Sequence, residues 1–161
     1  MSEEAAQAKR LFDNERWPEA VNALGRVASG ETGDDAGNRE LAQYYRLLAL
    51  VKSGRSDEAV EAVFQIAPRA QHLKHVETAL WIARLAHDQP AVVHALGKYQ
   101  PSVLDRFSSP AQAETRDALT FLLGRQRFEV GAKAEAATMF EKVPAGSRFH
   151  TLAVECAKLA R

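Results

Sequence analysis

The chain has 161 residues, 46% of them hydrophobic, and its 21 basic and 21 acidic side chains leave no formal net charge. That length suits one domain or one short repeat array. The even charge balance lacks the basic surplus expected of a protein that holds a polyphosphate backbone, so nucleic acid is not among the expected partners. No apolar run is longer than Leu47 to Val51, which falls far short of the ~18 residues that would span a bilayer, and no membrane insertion is expected. The opening Met-Ser-Glu-Glu-Ala is acidic and polar, the opposite of a signal peptide. It points to the cytoplasm if Met1 is native and leaves the periplasm open if the start was trimmed.

Alanine and leucine dominate the apolar set, which favours helices because both lose little side-chain freedom there. Apolar periodicity predicts helices over 3–14, 17–28, 39–53, 56–67, 70–87, 90–99, 110–130, 132–142 and 147–160. Pro18, Pro90 and Pro110 each open a periodic stretch, as proline does in a first helical turn. Ser109 to Gln112 has the spacing of a capping box. Pro68, Pro101 and Pro144 stand where stretches end. Gly54 and Gly131 sit between paired segments, where a tight turn needs a residue that accepts positive φ. Segments 29–38 and 100–109 read as polar, turn-rich loops, with Val103, Leu104 and Phe107 able to pack as a short extra turn. No hairpin signal or alternating β-branched run calls for a sheet.

The segments pair, and the pairs repeat. From Leu123 the order is Leu-Gly, Phe128, Gly131, Ala136, Phe140 and Val143. Gly124 and Ala136 are small, as a close crossing of two helices requires, and Phe128 and Phe140 are expected to fill the core beside it. The pattern recurs from Ala8 as Leu11, Phe12, Trp17, Ala20, Leu24 and Val27, with Glu15 in the place of the glycine. Around Gly54 it runs Leu47, Leu48, Val51, Ala59, Val63 and Ile66. A weaker copy spans Ala79, Ile82, Ala91 and Ala95, with Ala86 at its turn. The interval from turn residue to alanine is five in Glu15–Ala20, Gly54–Ala59 and Gly131–Ala136.

This order of residues resembles the tetratricopeptide repeat, whose period is about 34. The alanine markers Ala20, Ala59, Ala91 and Ala136 lie 39, 32 and 45 apart, and the surplus falls where the two polar loops lie. The resemblance implies an all-α fold, a right-handed α-solenoid over 1–161 as a single domain. Its repeats run near 3–28, 39–67, 70–99 and 110–143, with a terminal helix 147–160. That helix reads as another first helix with Phe149, Leu152, Ala153, Cys156 and Leu159 on one packing face, either a cap or the start of a continuing array.

The resemblance further implies a concave face, lined by the first helix of each pair, that grips a protein or peptide partner. Carried to matching positions, the face comprises Tyr44, Leu48 and Lys52 in the second repeat and Phe121, Arg125 and Glu129 in the best one. Leu48 and Arg125 stand where carboxylate-clamping members have Asn, which argues against that clamp. The expected role is a non-enzymatic scaffold segment of a larger bacterial assembly. The alternatives are a secretion-type chaperone cradling a client and an enzyme on a helical scaffold.

Motifs for chemistry are sparse. His72 and His75 could share a helix face, but a metal needs further ligands, and Glu77 is two residues on and so points elsewhere. His87, His94 and His150 are isolated. Gly33 to Asn38 lacks the alternating acids of a calcium loop. No phosphate loop, nucleophile elbow or Cys-x-x-Cys occurs, so no cofactor and no catalysis are expected. The lone Cys156 reads as a small hydrophobe on a helix. If Ala136 lies at a close crossing, Ala136→Leu will destabilise the fold by about 1–3 kcal/mol through overpacking. A variant that melts at the wild-type temperature would remove Ala136 from such a crossing.

Overall fold

A computed structural model describes residues 1–66, 68, 84 and 86–161, and among them every regular element is helical. The elements are α1 (Glu3–Asp13), α2 (Trp17–Ala28), α3 (Ala36–Lys52), α4 (Ser56–Ile66), α5 (Pro90–Ala95), α6 (Ala113–Glu129), α7 (Lys133–Glu141) and α8 (His150–Ala160). Short 3₁₀ turns occupy Leu96–Lys98, Pro101–Phe107 and Pro110–Gln112. The contacts gather into two compact units, Met1–Leu73 and Lys74–Arg161. The helix expected over 70–87, the pair His72 and His75, and the repeat markers Ala79 and Ile82 lie outside the described residues, except at positions 84, 86 and 87.

Three helical hairpins, α1–α2, α3–α4 and α6–α7, turn in the same way. A residue with positive φ follows the first helix each time: Glu15 at 59°, Gly54 at 81° and Gly131 at 83°. That residue donates its N–H three residues back, to the carbonyls of Phe12, Val51 and Phe128, at 3.0, 3.1 and 3.1 Å. The next residue donates five back, Arg16 to Leu11, Arg55 to Leu50 and Ala132 to Arg127, at 2.9, 2.8 and 2.8 Å. These are the paired bonds of a Schellman turn, which satisfy carbonyls that the helix end would otherwise leave open. One turn into each second helix lies a buried alanine, Ala20, Ala59 or Ala136, at 0, 3 and 0% exposure. Leu24, Val63 and Phe140 follow at equivalent positions and are buried too.

In the first unit, α1 packs on α2 and α3, α2 on α3, and α3 on α4. The 29–35 connection is pinned rather than merely solvated. Asp34 is buried and accepts hydrogen bonds from the Ser2 amide (2.7 Å), the Ser2 hydroxyl (2.6 Å) and the Thr32 hydroxyl (2.5 Å). Ser2 also caps α1 by accepting from the Ala5 amide at 3.0 Å. Asp35 caps α3 through the Asn38 amide at 2.8 Å, so that helix begins at Ala36, three residues earlier than expected.

In the second unit, α6 packs on α7, and α7 on α8, while α5 and the 3₁₀ turns lie against α6. Gly124 sits directly beneath the Phe140 ring, since a Cβ there would come within 2.6 Å of it. Its neighbour positions depart from the sequence reading. Arg127 is buried and Phe128 is 37% exposed, whereas the pattern placed Phe128 in the core. The Arg127 guanidinium donates to the Leu96 carbonyl (3.5 Å), to the Tyr99 carbonyl and to the Gln126 side chain (2.7 Å). It also lies 3.5 Å from Glu135 on α7. A buried guanidinium is tolerable when its donors are filled this way, and it closes carbonyls at the end of the 96–98 turn.

Further differences concern the weaker segments. The expected helix 90–99 is six α-helical residues and a 3₁₀ turn. Ala91 is exposed, Ala86 is helical rather than at a turn, and the chain bends at Gln89, ahead of Pro90. Ser109 does not cap, because residues 109–112 close a tighter i→i+3 turn, Gln112 N–H to the Ser109 carbonyl at 2.9 Å. Segment 101–107 is helical, with Phe107 fully buried. The buried face of α8 is Ala153, Ala157 and Ala160, whereas Leu152 and Leu159 are 54% and 70% exposed. Small residues let α8 lie close to α7, which turns its leucines outward.

A Cβ at Gly54 or Gly131 would touch nothing within 4 Å, so these turns require glycine for φ alone. Glu15 occupies the same conformation at a conformational cost. Glu15→Gly should therefore raise stability by about 0.5–1 kcal/mol, and Gly131→Ala lower it by about 1 kcal/mol, in urea unfolding. No change in either variant would mean the turns are not constrained as described.

The Asp34 carboxyl is held at about 2, below its ordinary 3.8, by the Ser2 hydroxyl first, then the Thr32 hydroxyl and the Ser2 amide. Its carboxylate therefore stabilises the folded state above pH 3.8, and that contribution fades as pH falls towards 2. Asp34→Asn should be less stable than the wild type at neutral pH, with the gap narrowing across this window. A constant gap would contradict the assignment.

Candidate functional site

Between the first helices of the α1–α2 and α3–α4 hairpins lies an open apolar pocket of about 70 Å³. Met1, with Ala5, Lys9 and Phe12 of α1, forms one wall, and Asn38, Leu41, Ala42 and Tyr45 of α3 form the other. Leu24 and Val27 of α2 close its floor. The spacing dictates the wall: positions 5, 9 and 12, like 41, 45 and 48, recur every turn along one side of a helix.

Two aromatic rings, Phe12 and Tyr45, line this pocket, and Trp17 packs on Phe12 outside it. Phe12 meets Trp17 at 5.3 Å and Tyr45 at 4.9 Å between centroids, with planes at 74° and 64°. Edge-on pairing of this kind fixes ring positions beyond what area burial supplies. Trp17, Phe12 and Tyr45 are each only partly buried, so their outer edges remain open to a ligand. The Lys9 ammonium stands 2.9 Å from the Asp13 carboxylate, whose hydrogen bond raises its pKa.

The sequence-expected residues divide. Tyr44 is 2% exposed and Phe121 6%, so both are core and offer no gripping surface. Leu48 and Arg125 are half-buried, and Lys52 and Glu129 are exposed. Leu48 and Lys52 continue the stripe that begins with Leu41 and Tyr45 (positions i, i+4, i+7, i+11), so the tyrosine on this face is Tyr45, not its neighbour. The periodicity of α3 held that signal, since Tyr44 falls about 60° to one side of the stripe centre.

In the second unit Phe121 packs between Phe140 (5.7 Å) and Phe149 (6.2 Å, stacked). Arg125 stands 3.8 Å from Glu129 and bears on the Cys156 thiol. Burial pushes that thiol's pKa up and Arg125 only partly offsets it, which leaves Cys156 a poor nucleophile. Asp117 is likewise raised by burial, with Arg116 and the Ser147 hydroxyl opposing. Glu114 pairs with Arg148 at 3.3 Å. Asp117 with Ser147, and Glu114 with Arg148, tie the 142–149 connection to α6. His87 and His94 are exposed, and the His150 Nδ1 lies 3.0 Å from the Val143 carbonyl. Among the described residues no three His, Cys, Asp or Glu side chains gather as a metal site, and no helix is long and apolar enough to cross a membrane.

Comparison with known proteins adds no relative: no family model, curated protein or solved structure matches the chain.

Proposed function

We propose that this chain is a tetratricopeptide-like α-solenoid that serves as a non-enzymatic protein-interaction module, a scaffold segment that holds a peptide or protein on the face of its first helices. One observation carries the reading. Hairpins that share a turn and a buried alanine leave, between the first helices α1 and α3, an apolar pocket rimmed by partly exposed aromatic rings. Repeats of this kind cannot bury their apolar faces alone and stack on neighbours, which lays first helices side by side. Tyr, Trp and Phe are the residue types that anchor interfaces, because they give large contact area at low entropic cost. The packing of α1 on α3 within the first unit accords with such stacking.

Affinity capture from the source cell, with mass spectrometry, tests the reading. Wild-type chain should retain a specific partner that Tyr45→Ala loses by tenfold or more, with both proteins melting within a few degrees of each other. Equal recovery by the two would remove this face from the interaction.

A further inference from the structure

We infer that the occupant of the α1–α3 face is a second copy of this chain, which docks the exposed side of its α8 there. This inference rests on the interaction reading above and names its partner.

Apolar surface is divided unequally between the two units. Among the described residues, the large apolar side chains that stand exposed are Met1 and five others, Phe128, Val130, Leu152, Val154 and Leu159. All five belong to the second unit, and three of them are on α8. Leu152 and Leu159, seven residues apart, lie two turns apart on one side of that helix, while its alanines are buried. The first unit offers the opposite surface, an open apolar recess lined by Met1, Phe12, Leu41 and Tyr45 among others. A helix that presents apolar residues at i and i+7 docks in an apolar groove between helices. Protruding leucines on one unit and a recess on the other suit a contact between different surfaces of two copies, not one surface meeting itself.

Charge is divided as well, and it decides the occupant. Met1–Leu73 carries nine Lys and Arg against twelve Asp and Glu, a net charge of −3, and Lys74–Arg161 carries twelve against nine, a net charge of +3. The neutral chain is an acidic unit joined to a basic one. The bias is local too. Glu4 in the first turn of α1 and Glu15 just past its end are exposed and form no ion pair among the described residues. Lys133 and Lys142, at the two ends of the α7 helix on which α8 packs, are equally exposed and unpaired. Two second units brought together repel, whereas a second unit meeting the first unit of another copy is attracted.

Sedimentation equilibrium of the full chain, with a complementation mixture, tests this. The wild-type chain should gain mass above the monomer as its concentration rises, and added salt should reverse the gain. Leu159→Glu damages the docking helix and Tyr45→Ala the receiving face, so each alone should weaken self-association at least tenfold. Mixed together the two should associate, because the Tyr45→Ala chain keeps an intact α8 and the Leu159→Glu chain an intact recess. Thermal melts are recorded for each, and Leu152→Glu replaces Leu159→Glu if the latter melts early. A monomer at every concentration, a mixture no heavier than its components, or a Tyr45→Ala chain that self-associates like the wild type would each overturn the inference. The broader reading is judged apart from it. A cellular partner that the wild type holds and Tyr45→Ala loses leaves the interaction face standing even when the chain is a monomer, while indifference to Tyr45→Ala in both assays removes that face.

Discussion

The structure depends on how closely two consecutive helices can lie. Gly124 shows the constraint most sharply: the Phe140 ring occupies the space that any Cβ on Gly124 would need. Ala8 stands at the equivalent place in the first hairpin and is fully buried. Interiors pack near crystal density, so a missing methyl on one helix is filled by a ring from the other, and the two cannot be exchanged independently. The positive-φ turn adds the second half of the constraint. It closes the first helix and returns the chain within three residues, so that the second helix runs back with its first-turn alanine buried. The turn is common to all three hairpins, whereas the small residue is found in the first and last; α3 has Leu47 at that place.

Once the hairpins are fixed, their remaining surfaces follow. The second helix spends its apolar side on the first helices before and after it, as α2 does on α1 and α3. The first helices keep a free stripe, and in the first unit that stripe carries Lys9, Phe12, Tyr45, Leu48 and Lys52, none of them fully buried. The proposed interaction rests on these aromatic edges beside the small aliphatic pocket. Among the described residues the buried charged groups, Asp34, Asp117 and Arg127, are spent on joining segments instead.

Much of the local architecture was legible in the sequence because proline and glycine mark helix ends through backbone physics. The five-residue interval from turn to alanine reads directly from Glu15, Gly54 and Gly131. What escaped were features set by distant partners. Arg127 is buried because the Leu96 and Tyr99 carbonyls, about thirty positions away, accept its hydrogen bonds, and no local pattern announces that. Asp34 looked like a solvated loop residue because its partner Ser2 lies in another helix cap. Leu152 and Leu159 looked like core because apolar spacing cannot say which of two adjacent faces will meet a neighbour. The partly exposed tyrosine of α3 is Tyr45 rather than Tyr44, since the two differ in which side of the helix they occupy.

A double-mutant cycle between Gly124 and Phe140 tests the close-approach constraint most directly. In urea unfolding, Gly124→Ala should cost less in a Phe140→Leu background than in the wild type, by about 1 kcal/mol or more, because the smaller side chain vacates the space a methyl needs. Equal costs in the two backgrounds would show that helix approach is not governed by this contact, and the account of the nested hairpins would fail.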